Sequence, residues 1–191
     1  NTFISVKAGG WSLFSNSASG YSQGPVTGAS VGKQLNVYNG LSVGLSGGSL
    51  RRNADGVRAW NVCGDVSHSF DITSYFYGYR PSRILRVSTY EGAAVEIVRA
   101  SGRSSLAAKL FVGLEFSAQA ARDLDIFFRP SLLFGSDGLD RLSSAARCHG
   151  GYSLDFGVTA HFNRFRAPED GVRENFGKWF VRDAFISVSA G

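Results

Sequence analysis

The sequence has no methionine, and only two cysteines, four prolines and three histidines among 191 residues. No apolar run approaches the ~18 residues that a membrane-crossing helix needs, which excludes a helical membrane protein. The chain starts at Asn1 with no charged segment leading into an apolar one, so it reads as a mature protein whose signal was removed, or as a fragment. Cys63 and Cys148 lie far apart and form no CxxC pair, so they do not make a zinc site. His149 follows Cys148 directly, but no third and fourth ligand stand at metal-site spacing. The run Gly44-x-x-Gly47-Gly48 opens no helix, and a phosphate loop without a helix N-terminus lacks its amide donors. No cofactor is expected. The net charge is +5, and sixteen of the twenty basic residues are arginine. They are dispersed through turns and strand ends, not clustered among stacking aromatics, so nucleic acid is not an expected partner. Contact with anionic lipid head groups, or solvation, accounts for them.

What the chain does have is glycine (24), phenylalanine (15) and tyrosine (7), a composition of strands and tight turns. Tyr152 to Asn163 alternates strictly. Tyr152, Leu154, Phe156, Val158, Ala160 and Phe162 form one face, and Ser153, Asp155, Gly157, Thr159, His161 and Asn163 the other. Successive side chains of a strand point to opposite faces, so one face is apolar and one polar. Leu106 to Gln119 repeats this, with Phe111 the exception on the polar face. Strands of this length exceed the ~5–6 residues usual in globular sheets and suit a tilted membrane crossing. A wall that alternates in this way also averages to the near-neutral mean hydropathy of -0.04.

The same reading places strands at Phe3–Phe14, Pro25–Val37, Leu41–Arg52, Ser69–Tyr79, Arg83–Val98 and Leu124–Gly135, for a total of eight. Links at Asn39-Gly40, 80–83 and 120–123 are short and those at 15–24, 53–67 and 136–151 long, although 100–104 is not. Short turns at one end and longer loops at the other are the habit of outer-membrane barrels. The expected fold is therefore an all-β, antiparallel up-and-down transmembrane barrel of about eight strands, with an extra C-terminal strand, in the bacterial outer membrane. Three residues resist the pattern. Pro130 demands a bulge or displaced pairing. Lys33 falls on an apolar face and is expected to snorkel from a strand end. Glu91 does likewise in mid-strand, where a bulge at Gly92 would swap the faces. Cys63 and Cys148 fall in loops at the same end, so a disulfide between them is expected.

The run Leu110 to Phe134, LFVGLEFSAQAARDLDIFFRPSLLF, resembles a hairpin of the OmpA-like and OmpX-like small outer-membrane barrels: a Gly-x-Glu-aromatic strand, a short polar turn, then a charged residue before proline. Tyr90-Glu91-Gly92-Ala93-Ala94 resembles that family's aromatic and glycine-rich fifth strand. The resemblance covers residues 1 to about 166 and implies the architecture, not an activity. The peptidoglycan-binding domain often attached to such barrels has no counterpart here. Phe3-Ile4-Ser5-Val6-Lys7-Ala8-Gly9 returns as Phe185-Ile186-Ser187-Val188-Ser189-Ala190-Gly191. Residues 1–166 are thus expected to form the barrel, and 167–191 a linker plus a strand like the start of another barrel unit.

Lys7, Lys109, Glu115, Asp125, Arg129 and Asp155 fall on lumen faces. Buried charge needs a partner, so Lys109 and Arg129 are expected to pair with Glu115, Asp125 or Asp155. His161 near Asp155 and Thr159 is the one arrangement open to catalysis, but it reads better as part of a hydrogen-bonded plug. The expected role is structural, adhesive or that of an accessory subunit, without an open pore or catalytic residues. Its expected partners are outer-membrane lipid and other outer-membrane proteins of a larger complex. A lipid-modifying enzyme and a soluble lipocalin-like barrel are the alternatives.

Overall fold

A computed structural model describes residues 2–14, 21–22, 24–52, 56, 58–80, 83–100, 102–136 and 148–162. The expected linker and extra strand of 167–191 lie outside the described residues. Nine strands form one antiparallel sheet: β1 (Thr2–Leu13), β2 (Tyr21–Ser22), β3 (Gly24–Gln34), β4 (Asn39–Arg52), β5 (Arg58–Asp71), β6 (Leu85–Ala100), β7 (Arg103–Ala121), β8 (Leu124–Ser136) and β9 (Cys148–Phe162). The two residues of β2 only extend the pairing along the end of β4. The other eight close into a ring, because β9 pairs with β1 and β5 with β4.

Cross-strand partners give the barrel its shear. Stepping from partner to partner, Thr2 leads to Lys33, Leu41, His68, Glu91, Val112, Leu132 and Tyr152, and Tyr152 returns to β1 at Ser12. One circuit therefore climbs ten residues, from Thr2 to Ser12. Eight strands with this stagger tilt by roughly 40°, and the interior is just wide enough for side chains to fill. Ten residues at ~3.3 Å each, tilted so, rise about 25 Å along the axis, the height of the apolar band of an outer-membrane barrel.

The apolar faces point outward. Leu154, Phe156 and Val158 are 41, 60 and 41 % exposed, whereas Ser153, Asp155 and Thr159 on the same strand are buried. Val6, Leu45, Val62, Ile97, Leu110 and Phe134 carry the same apolar wall around the ring. That distribution is the reverse of a soluble barrel, and it excludes the lipocalin-like alternative.

Residues 58–79 depart from expectation. The expected loop 53–67 is largely β5, and the expected strand Ser69–Tyr79 is the end of β5 followed by a short helix, α1 (Ile72–Tyr77). Asp71 caps this helix: its carboxylate accepts from Ser74 N at 2.8 Å and from Ser74 Oγ at 2.6 Å. The helix folds Tyr75 against Tyr38 and Phe70. Burial there, beside Tyr75 and Asp71, pushes the Tyr38 phenol up from its ordinary pKa. Asn39-Gly40 opens β4 and does not form the turn. Asn36 makes the turn instead, its Oδ1 accepting from the backbone N of Tyr38 and of Asn39 at 2.8 Å each.

Pro130 interrupts the ladder to β7 between Ser131 and Phe128 without shifting its register; the one β7–β8 shift lies at Gln119/Ala121. No bulge occurs at Gly92, since β6 keeps continuous register on both sides. Glu91 therefore faces outward. Lys33, next to the last residue of β3, is exposed on the outer wall as expected.

Candidate functional site

The lumen is filled in layers, each made by side chains that converge from different strands. At the end that holds the 35–38 turn and α1 (the turn end), Asp125 of β8 takes Arg86 of β6 as ion-pair partner and His161 Nε2 of β9 at 2.8 Å. Phe3 lies beside the His161 ring, with centroids 6.0 Å apart. Just above, Ser5 and Thr159 share a hydrogen bond of 2.8 Å across β1 and β9.

The middle layer is organised by Arg129. Its guanidinium lies 3.7 Å from the centroid of the Tyr90 ring and 4.6 Å from that of Phe127. It also donates through Nε to Glu115 at 3.0 Å, with a second bond from Nη2 to the same oxygen. Phe111 stacks on Tyr90 with centroids 5.1 Å apart. Lys7 reaches Asp155 at 3.4 Å in the same region. A buried cation is costly unless paired, and here each one has both a carboxylate and, for Arg129, an aromatic face.

Toward the opposite, loop end, Lys109 Nζ meets Glu96 at 2.9 Å and lies 4.9 Å from the centroid of the Trp11 ring. Glu96 has no solvent exposure and also accepts from Asn61. Trp11, Leu50, Ala59, Val98, Ala107 and Leu133 pack around this pair as an apolar stopper.

Among the described residues the lumen holds small cavities of about 60 Å³ above the middle layer and about 70 Å³ below it. Tyr90 lines both, so its stack with Arg129 is the partition between them. Each has room for only a few waters. Four buried polar atoms that line the upper cavity (Trp11 Nε1, Asn61 Oδ1, Ser131 Oγ and Asp155 Oδ1) have no protein partner among the described residues.

The structure thus brings Lys109, Glu115, Asp125, Arg129 and Asp155 into one lumen, with a different pairing in part. Arg129 takes Glu115, but Lys109 takes Glu96 rather than Glu115, Asp125 or Asp155. Glu96, Arg86 and Asn61 were missed by sequence reasoning, although Glu96 and Arg86 share the even parity of Tyr90 and Val98 on β6. His161 meets Asp125, not Asp155, and the Thr159 hydroxyl is engaged with Ser5. Cys63 also differs from expectation: it is not in a loop but on β5, buried on the lumen side between Ser46 and Glu96 of the flanking strands, and its thiol is free. The side chains of Cys148 and His149, which the expected disulfide and metal pair would need, lie outside the described residues. Among the described residues no group of three or more histidine, cysteine, aspartate or glutamate side chains could hold a metal ion.

No protein-family model and no curated protein sequence matches the chain. Solved structures do match. Neisserial surface protein A superposes with a TM-score of 0.58 at 12 % identity, over 84 % of this chain and 97 % of that one. A major outer membrane protein from Thermus thermophilus superposes with a TM-score of 0.53 at 10 % identity, over 85 % of this chain and all of that one. The fold is that of the small eight-stranded outer-membrane barrels, the architecture that the Leu110–Phe134 hairpin resembles.

Proposed function

We propose that the protein is a closed barrel of the bacterial outer membrane that passes no solute through its lumen and serves there in a structural, adhesive or accessory-subunit role, its loop end facing the cell exterior. The middle layer carries this reading. Arg129, held by Glu115 and sandwiched between Tyr90 and Phe127, separates two cavities that are each too small for anything larger than water. The test is conductance in planar bilayers together with swelling of proteoliposomes in sugar solutions. The expected result is a current and a swelling rate no greater than those of protein-free membranes; a stable unitary conductance would overturn the reading.

The lipid-modifying alternative turns on His161. That imidazole is inside the lumen, bonded to an aspartate that an arginine already neutralises, and it is turned away from the lipid-facing wall. We read it as part of the plug. His161→Ala is expected to leave the lipid profile of cells carrying the protein unchanged, and a lost or altered lipid species would restore the enzyme reading.

A further inference from the structure

The arginines are dispersed in sequence, but the fold gathers three of them on one side of the barrel. Arg51 of β4 and Arg58 of β5 are cross-strand partners, and Arg99 of β6 is partnered with Trp60, two residues along β5 from Arg58. All four side chains point outward and are exposed, that of Trp60 by 63 %. Like charges set face to face across a ladder repel, and an anion between them removes that cost. The outward residues toward the loop ends of β1, β3 and β8 are Ser12, Pro25 and Phe134, which carry no charge. Among the described residues no carboxylate shares the outward rim at the loop end.

Height gives this cluster its meaning. With a climb of ten residues per circuit, each step between partners rises ~3 Å and each residue along a strand ~2.5 Å. Counted in this way from Thr2, Val62 and Ile97 lie at ~24–27 Å, the top of the apolar height, and the backbones of Arg51, Arg99 and Arg58 at ~31–34 Å. That is the level of the lipid head groups, where barrels also carry their aromatic girdles. Below the arginines the wall is not evenly filled. Ala8, Thr27 and Gly47 are successive cross-strand partners, and their small side chains leave a shallow apolar groove bordered by Val6, Leu45 and Val62. Gly47 lies on the same face of β4 as Arg51, with one outward residue, Ser49, between them.

We propose that this rim of β4, β5 and β6 binds a multiply phosphorylated glycolipid of the outer leaflet, its phosphates on Arg51, Arg58 and Arg99 and one acyl chain along the groove. A guanidinium presents a planar fork of donors that engages two phosphate oxygens at once. Arg51 and Arg58 stand ~5 Å apart at the backbone and Arg99 a diagonal step of ~7–8 Å beyond Arg58, a spread wider than one phosphate covers. A phospholipid with a single phosphate leaves part of that charge unmatched. A soluble anion would use the arginines and leave the groove bare, whereas a lipid uses both. The inference rests on the proposed orientation, with the loop end outward, because it is the outer leaflet that carries such glycolipids.

Titration of the folded barrel in zwitterionic detergent micelles with bisphosphorylated lipid A, read by native mass spectrometry, tests it. Saturable binding of one lipid per barrel is expected. Arg51→Gln, Arg58→Gln and Arg99→Gln together should weaken it at least about tenfold, and these exposed changes should keep the folded, heat-modifiable band on gels. Gly47→Leu fills the groove with all three arginines in place and should also weaken binding; a Cβ there meets only Asn61 O, at 3.5 Å, so the barrel still folds. Removing the same charge at the turn end, by Lys33→Gln, Arg80→Gln and Arg122→Gln, should leave binding unchanged. Phosphatidylglycerol and the deacylated, water-soluble phosphorylated sugar should each bind at least about tenfold more weakly than the lipid. Equal binding with and without the three rim arginines overturns the proposal. So does an equal loss in the turn-end variant, or phosphatidylglycerol or the deacylated sugar binding as tightly as the lipid. Micelles have no sides, so a failure here sinks this inference alone, while a loop end that resists proteinase K added to intact cells sinks the orientation alone.

Discussion

Phe127 faces Gly157 across the β8–β9 ladder, Phe111 faces Gly92 across β6–β7, and Phe3 faces Gly32 across β1–β3. In each case the ring lies where a Cβ on the glycine would be. The lumen of an eight-stranded barrel is too narrow for two large residues side by side, so these three inward rings take their room from a glycine on the next strand. This explains why Phe111 breaks the polar parity of β7: its partner Gly92 makes space for it. Gly157→Ala is expected to cost about 1–3 kcal/mol, because a methyl there meets the Phe127 ring and the Val6 carbonyl. Gly64→Ala, outward with only Leu45 Cδ2 near at 3.7 Å, should leave barrel stability unchanged. Urea midpoints of the folded barrels in lipid vesicles distinguish the two. Arg129 permits a sharper test. Removing it by Arg129→Met strands Glu115 in the lumen and is expected to cost about 3–5 kcal/mol, while Arg129→Met with Glu115→Met costs less than that single change. A double-mutant cycle on the same urea midpoints measures the difference, and strictly additive losses would remove Arg129 from its place as the organiser of the middle layer.

At the level of elements, the alternation of β7, β8 and β9 was legible because their outward positions over 106–118, 124–134 and 152–162 are all apolar or aromatic, most of them Leu, Ile, Val or Phe. β5 was not, for a physical reason. Its outward face includes Gly64 and His68, and its lumen face includes Ala59 and Cys63, so hydrophobicity no longer separates the faces even though burial alternates cleanly. The segment 69–79, rich in aromatic residues, reads as strand by composition, yet Asp71 satisfies the first amides of α1 and turns the chain. Lys109 was placed correctly in the lumen, but its partner was not, because pairing there follows the stagger between strands. Glu96 lies on β6 opposite Ala107, one step along from Lys109 on the lumen face. Asp71→Ala removes the cap of α1 and is expected to cost about 1 kcal/mol. The loss should show as faster proteolysis at 72–84 with the rest of the barrel still protected; protection unchanged at 72–84 would mean that the aromatic contacts of Tyr75, and not the cap, hold the helix.

The molecule as a whole is specified by the stagger of its ring, which ties depth in the membrane to position along each strand. Phe162 pairs with Thr2 near the turn end of the wall and Tyr152 with Ser12 near the loop end, so Phe156, between them on β9, sits close to half-height. Leu124, the first residue of β8, lies at the turn-end rim beside the Arg122–Asp123 turn. Both face outward, yet a charge at the two places meets different surroundings. At half-height an arginine must reach across apolar wall in either direction to find water, and at the rim it snorkels at once. Phe156→Arg is therefore expected to cost about 2–4 kcal/mol and Leu124→Arg about 0–1 kcal/mol, measured as reversible urea unfolding in phospholipid vesicles. The order matters more than the sizes. Equal costs at both positions would mean that the apolar wall is not aligned with the hydrocarbon as the stagger of ten requires.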